Sequence, residues 1–418
     1  MDKKRILLII LFILLCSILA FAIYFVFFKS PSGEIIPGKK TGQGGELFPS
    51  IGEGDIKIGE GTKDQLPDTG KETEIETPEE IVSSITEAIN LQGKTEIAKV
   101  KENQISNMNV ANLDSDKQGA KFYNPQDGKF YYLNAKGEVE ILSDKVFYNV
   151  ENVTWSPTQD EGIIEYPDGS NIYYNFKEEK QVTLPKHWED FDFSDDGNQI
   201  VSKSMAELTD NRWLITSDPT GNNIQLIESM GNNANKVIVD WSPNNQVIAL
   251  SATGQASGSN QEIVLVGLNN ENYASLTVAG RGLETEWSPD GKKLLHSVYN
   301  SNNNYKPQLW ISDATPDTVG QNRKPLGLNT WASKCTFSSD SRYVYCGVPT
   351  ELKDGAGFAP ETANYTFDNL YKIDLQTGTK IKVNLEENHT IDSIFLDSTN
   401  RNLYFTDKNK TGIFKLSV

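Results

Sequence analysis

The 418-residue chain is short of the side chains that most protein chemistry uses: it has three cysteines, three histidines and four methionines. So few cysteines exclude a miniprotein held together by disulfides. The histidines, His187, His296 and His389, stand far apart in sequence, which leaves little material for a zinc centre or a Ser-His-Asp triad. Positive charge is also scarce, with 39 Lys and Arg against 57 Asp and Glu and a net charge of -18. A surface that neutralises phosphates needs the opposite balance, so nucleic acid is excluded as a partner. With 23% charged residues the chain is not a polytopic membrane protein. There is no Gly-x-Ser-x-Gly elbow, no His-Glu-x-x-His and no phosphate loop. What the chain does have is 37% hydrophobic and 10% aromatic residues, enough to build a large core.

One long apolar run stands at the start. Ile6 to Phe28 contains no charged residue, and at ~1.5 Å per residue a helix of that length crosses a ~30 Å hydrocarbon core. Lys3, Lys4 and Arg5 precede it and only Lys29 follows closely, so the predicted topology puts residues 1–5 in the cytoplasm and everything after the helix outside. A cleaved signal peptide ending at Ala20-Phe21-Ala22 is the competing reading; the run continues unbroken through Phe28, which favours an uncleaved anchor over 6–28. Residues 29–77 are rich in Gly, Pro, Glu, Lys and Thr and predict a flexible linker. Thr77-Pro78-Glu79-Glu80 reads as a helix start. Ile81, Val82, Ile85, Ala88 and Ile89 continue it at helical spacing, predicting a short helix over 78–92.

The rest of the chain repeats an aromatic residue followed by a turn. Trp287-Ser288-Pro289-Asp290-Gly291-Lys292 is the clearest copy; Trp155-Ser156-Pro157, Phe193-Ser194-Asp195-Asp196-Gly197, Trp241-Ser242-Pro243-Asn244-Asn245 and Phe337-Ser338-Ser339-Asp340-Ser341 follow the same plan. Degenerate copies begin at Tyr123 and Leu396, giving steps of 32, 38, 48, 46, 50 and 59 residues. That spacing brackets the period of four-stranded propeller blades, ~40–50 residues. In each copy the aromatic ends a strand, Pro and Asp or Asn shape the turn, and Gly accepts a positive φ. β-rich runs follow at once, such as Gln246 to Leu250 and Lys293 to Ser297. Seven copies predict an all-β fold, a seven-bladed β-propeller of four-stranded antiparallel blades over 95–418. The last copy lacks one strand before the chain stops, and Glu96 to Ile105 is the segment available to fill that edge and close the ring.

These residues carry a resemblance. Trp287-Ser288-Pro289-Asp290-Gly291-Lys292-Lys293-Leu294, with its relatives at Trp155 and Trp241, resembles the repeat of TolB-type, WD-like bacterial β-propellers over roughly residues 95 to 418. The resemblance implies a periplasmic or extracellular binding scaffold and leaves the ligand open. It departs from TolB in having no separate α/β domain between the linker and the first blade.

Four sets of residues remain as candidates for function. Cys335 and Cys346 flank the turn at Asp340-Ser341, so a simple hairpin register sets them opposite one another and predicts a disulfide; two buried free thiols are the alternative. Asp192, Asp240 and Glu286 each precede a motif aromatic, which places them at equivalent radii; the readings are an acidic cluster at one end of the central channel that holds a cation, a hydrogen bond to a neighbouring strand, or exposure to solvent. The longest interruption of the repeat, Pro349 to about Asp368, offers Asp354, Phe358, Tyr365 and Phe367 as a partner-contact loop or is an insertion without a partner. Asn300 to Asn304 reads as a solvated hairpin tip. Trp155, Phe193, Trp241, Trp287 and Phe337 are read as structural. No metal, cofactor or catalytic residue is expected.

The sequence therefore predicts a membrane-anchored, extracytoplasmic propeller that binds a protein, peptide or glycan without catalysis. The alternatives are a hydrolase using channel carboxylates and a structural role in the envelope.

Overall fold

The computed structural model describes residues 96–99, 101–116, 119–254, 259–269 and 271–418. The expected anchor, linker and helix over 6–28, 29–77 and 78–92 lie outside the described residues. Among the residues described, no helix is long and apolar enough to cross a membrane.

Among the described residues seven sheets, each built on an antiparallel meander of three or four consecutive strands, form a seven-bladed propeller. The first strands of blades one to seven are Ala111–Ser115, Asn152–Trp155, Trp188–Phe193, Val237–Val239, Arg281–Trp287, Cys335–Phe337 and Ile391–Leu396. The apolar core is divided among the junctions between blades. Trp287 of blade five, for example, packs on Val247, Leu250 and Leu265 of blade four, and Phe395 and Tyr404 of blade seven pack on Ala120 and Phe122 of blade one. Both faces of a blade are buried in this arrangement, which is why the second strands read as nearly continuous apolar runs. Trp155, Phe193, Trp241, Trp287 and Phe337 are all buried in these junctions.

The repeated turn has a local cause. Ser288 Oγ donates to Asp290 at 2.7 Å and accepts from the Lys293 amide at 2.9 Å, while the Gly291 amide donates to the Ser288 carbonyl. The position of Gly291 has φ +64°, and its counterparts Gly197, Asn245, Ser341 and Asn400 are also left-handed. Gly and Asn suit that conformation, and blade six accepts it with a serine.

Two expectations need correction. The copy beginning at Tyr123 is the turn between the second and third strands of blade one; the turn equivalent to the motif is Asp116 to Gly119, where the Gly119 amide bonds Asp116 Oδ1 at 2.6 Å. No aromatic marks it, because Ser115 holds the position that Trp155 holds in blade two. The ring is also closed in two steps. β1 (Glu96–Lys99) adds a fifth strand to blade six, parallel to Lys380–Asn384, and β2 (Glu102–Gln104) supplies the missing fourth strand of blade seven, antiparallel to Ile413–Ser417. Splitting the segment covers two outer edges that would otherwise expose unpaired backbone groups.

Candidate functional site

In an antiparallel meander the turns between first and second strands lie at one end of the blade, and those between second and third strands lie at the other. The repeated turns therefore all fall on one face of the propeller. There a cavity of about 870 Å³ opens into the channel, lined by residues of blades one to five and by Ser333.

The side chains just before the motif aromatics meet in this cavity. Asp192, Asp240 and Glu286 line it, and so does Asp114, whose partner Lys121 places it in register with Glu286 opposite Leu295. Four of seven blades thus contribute a carboxyl group. Asp114 escaped the sequence reading because its blade lacks the aromatic motif; the Asp-x-x-Gly turn at Asp116 to Gly119 was the signal available. Among the described lining residues there is no lysine, arginine or histidine.

Asp192, Asp240 and Glu286 are half-buried and Asp114 is exposed, and a cavity walled by protein solvates charge less well than open water. Desolvation is the largest cause of the upward shifts: Asp114 is raised to about 6, Asp192 to about 7, Asp240 to about 6 and Glu286 to about 8. Mutual repulsion adds to it, with Asp240 and Asp114 acting on both Asp192 and Glu286. Hydrogen bonds oppose the shift. Asp192 accepts from the Trp241 amide of the next blade at 2.6 Å and from Phe193 at 2.8 Å, and Asp240 accepts from Thr285 of the next blade at 2.6 Å. The Trp287 indole lies beside Asp240 and favours its ionised form without completing a bond. Glu284 continues the series by accepting from Ser333 at 2.7 Å. Asp192 and Asp240 therefore fasten adjacent blades together, and the four carboxyls form a cluster that holds its protons more tightly than carboxyls in open water do. Among the described residues no three His, Cys, Asp or Glu side chains are grouped so as to hold a metal ion.

The opposite face carries the long insertion. It contains two short 3-10 helices, Ala356–Phe358 and Pro360–Tyr365, over a small core of Trp331, Leu352, Ala356 and Ala363. Neighbouring blades brace it on both sides. The Gly355 and Gly357 amides donate to the Asn304 and Tyr305 carbonyls of blade five at 2.8 and 2.7 Å, and Asp354 pairs with Lys306 at 3.4 Å. On the other side Asn409 of blade seven donates to the Asn364 carbonyl at 2.8 Å. The asparagine-rich tip at Asn300 to Asn304 is accordingly a brace for the insertion as well as a solvated turn. Phe358 leans edge-on against Tyr299 and packs on Tyr305. It stays 59% exposed; Tyr365 is 88% and Phe367 49% exposed, so three aromatic rings stand in water on a fixed support.

In blade six Cys335 and Cys346 form a directly opposed cross-strand pair joined by a disulfide, with Cα atoms 4.1 Å apart.

No family model matches the chain, and no curated protein matches it. Among solved structures, the Cps50 (Swd1) β-propeller domain of Myceliophteria thermophila aligns at 12% identity over 76% of this chain and 98% of its own, with a TM-score of 0.52. An oligogalacturonate lyase from Vibrio parahaemolyticus aligns at 11% identity over 76% and 94%, with a TM-score of 0.47. At 12% identity the likeness to the Cps50 (Swd1) domain speaks for the propeller fold alone.

Proposed function

We propose that this chain is a membrane-tethered, extracytoplasmic propeller of the TolB-like, WD-like kind that binds a protein, peptide or glycan without converting it. The observation that carries this reading is the braced insertion. Large exposed aromatics on a rigid support lose little entropy when they bind, which is what a recognition surface needs. The test uses the full-length chain in detergent, screened against purified envelope glycans and peptide arrays. A component retained by the wild type and released at least about tenfold faster by a Phe358→Ser, Tyr365→Ser, Phe367→Ser variant of unchanged melting temperature supports it. Retention that is indifferent to the three substitutions rejects it.

The channel carboxyls favour a second reading, hydrolysis of a glycan or peptide, because a carboxyl that keeps its proton near pH 7 is suited to general acid chemistry. Under that reading product appears with the wild type and with the aromatic variant, and is lost with Glu286→Gln.

A further inference from the structure

The insertion face carries exposed rings beside two different blades. Phe358 and Tyr305 stand at blade five, 59% and 43% exposed. Gly357 sets that pair, because a Cβ there would come within 2.4 Å of the Tyr299 ring, and glycine lets the segment lie against it. Tyr365 stands between Asn364 and Thr366, whose carbonyls accept from Asn409 and Thr390 at blade seven at 2.8 and 3.1 Å, and Phe367 follows.

The polar groups around the rings are of two kinds. Most of the charged ones are paired with each other: Lys306 with Asp354 at 3.4 Å, Lys410 with Glu387 at 2.8 Å and Lys408 with Asp392 at 2.9 Å. Glu351, Lys353 and Glu361 remain, so the face offers neither the group of free cations that an acidic ligand needs nor a strong negative field for a basic one. The side-chain amides of Asn302 and Asn364, by contrast, make no hydrogen bond among the described residues. Each keeps two donors and an acceptor oxygen for a ligand.

This combination selects among occupants. A globular partner's anchors need pockets to fill, and a ring that is 88% exposed, as Tyr365 is, encloses none. The insertion between Pro349 and Asp368 holds two 3-10 helices and no strand, so it presents no open edge for an extended peptide to pair with. A sugar ring requires neither. Its C–H faces carry partial positive charge and rest on the negative face of an aromatic ring, while its hydroxyls exchange hydrogen bonds with amides at the rim.

We infer, building on the recognition surface proposed above, that the insertion face binds an uncharged oligosaccharide, with sugars stacked on Phe358 and Tyr365 and hydroxyls bonded to the amides of Asn302 and Asn364. Because the rings stand beside two blades, the ligand is a chain of sugars and not a single one.

Titration of the full-length chain in lipid nanodiscs, free of glycoside detergents, tests this with cellotetraose, chitotetraose and maltotetraose, each beside its disaccharide. At least one tetrasaccharide should bind, at least about tenfold more tightly than its disaccharide. Its affinity should be the same at about 20 mM and about 500 mM salt. Phe358→Ser and Tyr365→Ser should each reduce it to the affinity of the disaccharide, with the melting temperature unchanged. Three results overturn the inference: no tetrasaccharide bound at about 10 mM, equal affinity for the short and long sugars, or binding indifferent to both serine variants. The recognition reading is judged separately. A peptide retained through the same rings while no tetrasaccharide binds preserves that reading and overturns the sugar, whereas the absence of any ring-dependent ligand rejects both.

Discussion

The two faces of the propeller are built from different kinds of sequence. On one face blades three to seven repeat the same turn with a left-handed residue, and side chains beside the first turns of blades one, three, four and five converge on the channel as Asp114, Asp192, Asp240 and Glu286. On the other face the repeat is broken, and the insertion from Pro349 to Asp368 places Phe358, Tyr365 and Phe367 in water. At several repeated positions one side chain serves two blades: Asp192 and Asp240 bond to the next blade and Trp287 packs on blade four, so a change there disturbs a junction. At the insertion Phe358 leans on Tyr299 and Tyr305, while Tyr365 is 88% exposed. Positions that follow the repeat carry the stability, and the position that departs from it is free to carry recognition.

The strongest test of this contrast is to remove one large side chain from each face. Trp287→Ala should cost about 3–5 kcal/mol in urea unfolding, because it empties the junction between blades four and five. Tyr365→Ala, at 88% exposure, should leave the midpoint almost unmoved. Comparable losses in the two variants would erase the distinction. Next in size is the disulfide. Replacing both Cys335 and Cys346 by alanine should cost about 2–3 kcal/mol for a crosslink spanning 11 residues, read as a lower unfolding midpoint.

The smallest effect is the most diagnostic for the channel. Glu286 and Asp192 are raised from 4.5 and 3.8 to about 8 and 7, so the folded protein binds their protons more tightly than the unfolded chain. Their contribution favours folding at low pH and is lost as pH rises from about 4 to 8. Glu286→Gln should therefore raise the melting temperature at pH 8.5 and flatten the alkaline decline. Buried His296 works in the opposite direction. Desolvation lowers it from 6.5 to about 4, so the stability it contributes is present above pH 6.5 and disappears as pH falls towards 4. Melting temperature against pH should pass through a maximum, with Glu286→Gln changing its alkaline limb and His296→Leu its acid limb.

The propeller was legible because most blades announce themselves locally. A turn former and a residue tolerant of positive φ within five positions mark the hairpins of blades three to seven, Trp155-Ser156-Pro157 marks blade two, and their spacing leaves few alternatives. Blade one shows where this ends. With Ser115 in place of an aromatic, its first turn carried no signal, and Asp114 went unread with it. Asp192, Asp240 and Glu286 were visible as equivalent positions, but their proximity across the channel was not. That depends on the ring closing, and closing brings together residues far apart in the chain.

The sequence by itself determined the periodic elements: the strands, the turns between them and the opposed pair Cys335 and Cys346, because each rests on interactions between residues a few positions apart. Only the tertiary structure decided what those elements do together. It shared residues 96–104 between two blades, braced the insertion on Asn304 and Asn409, and set Glu102 against His389 across 287 residues. The physical reason is the same in each case. Hydrogen bonds and charge pairs of this kind form only after blade packing has expelled water and fixed both partners, so they follow from the closed ring and leave no mark on any short stretch of the chain.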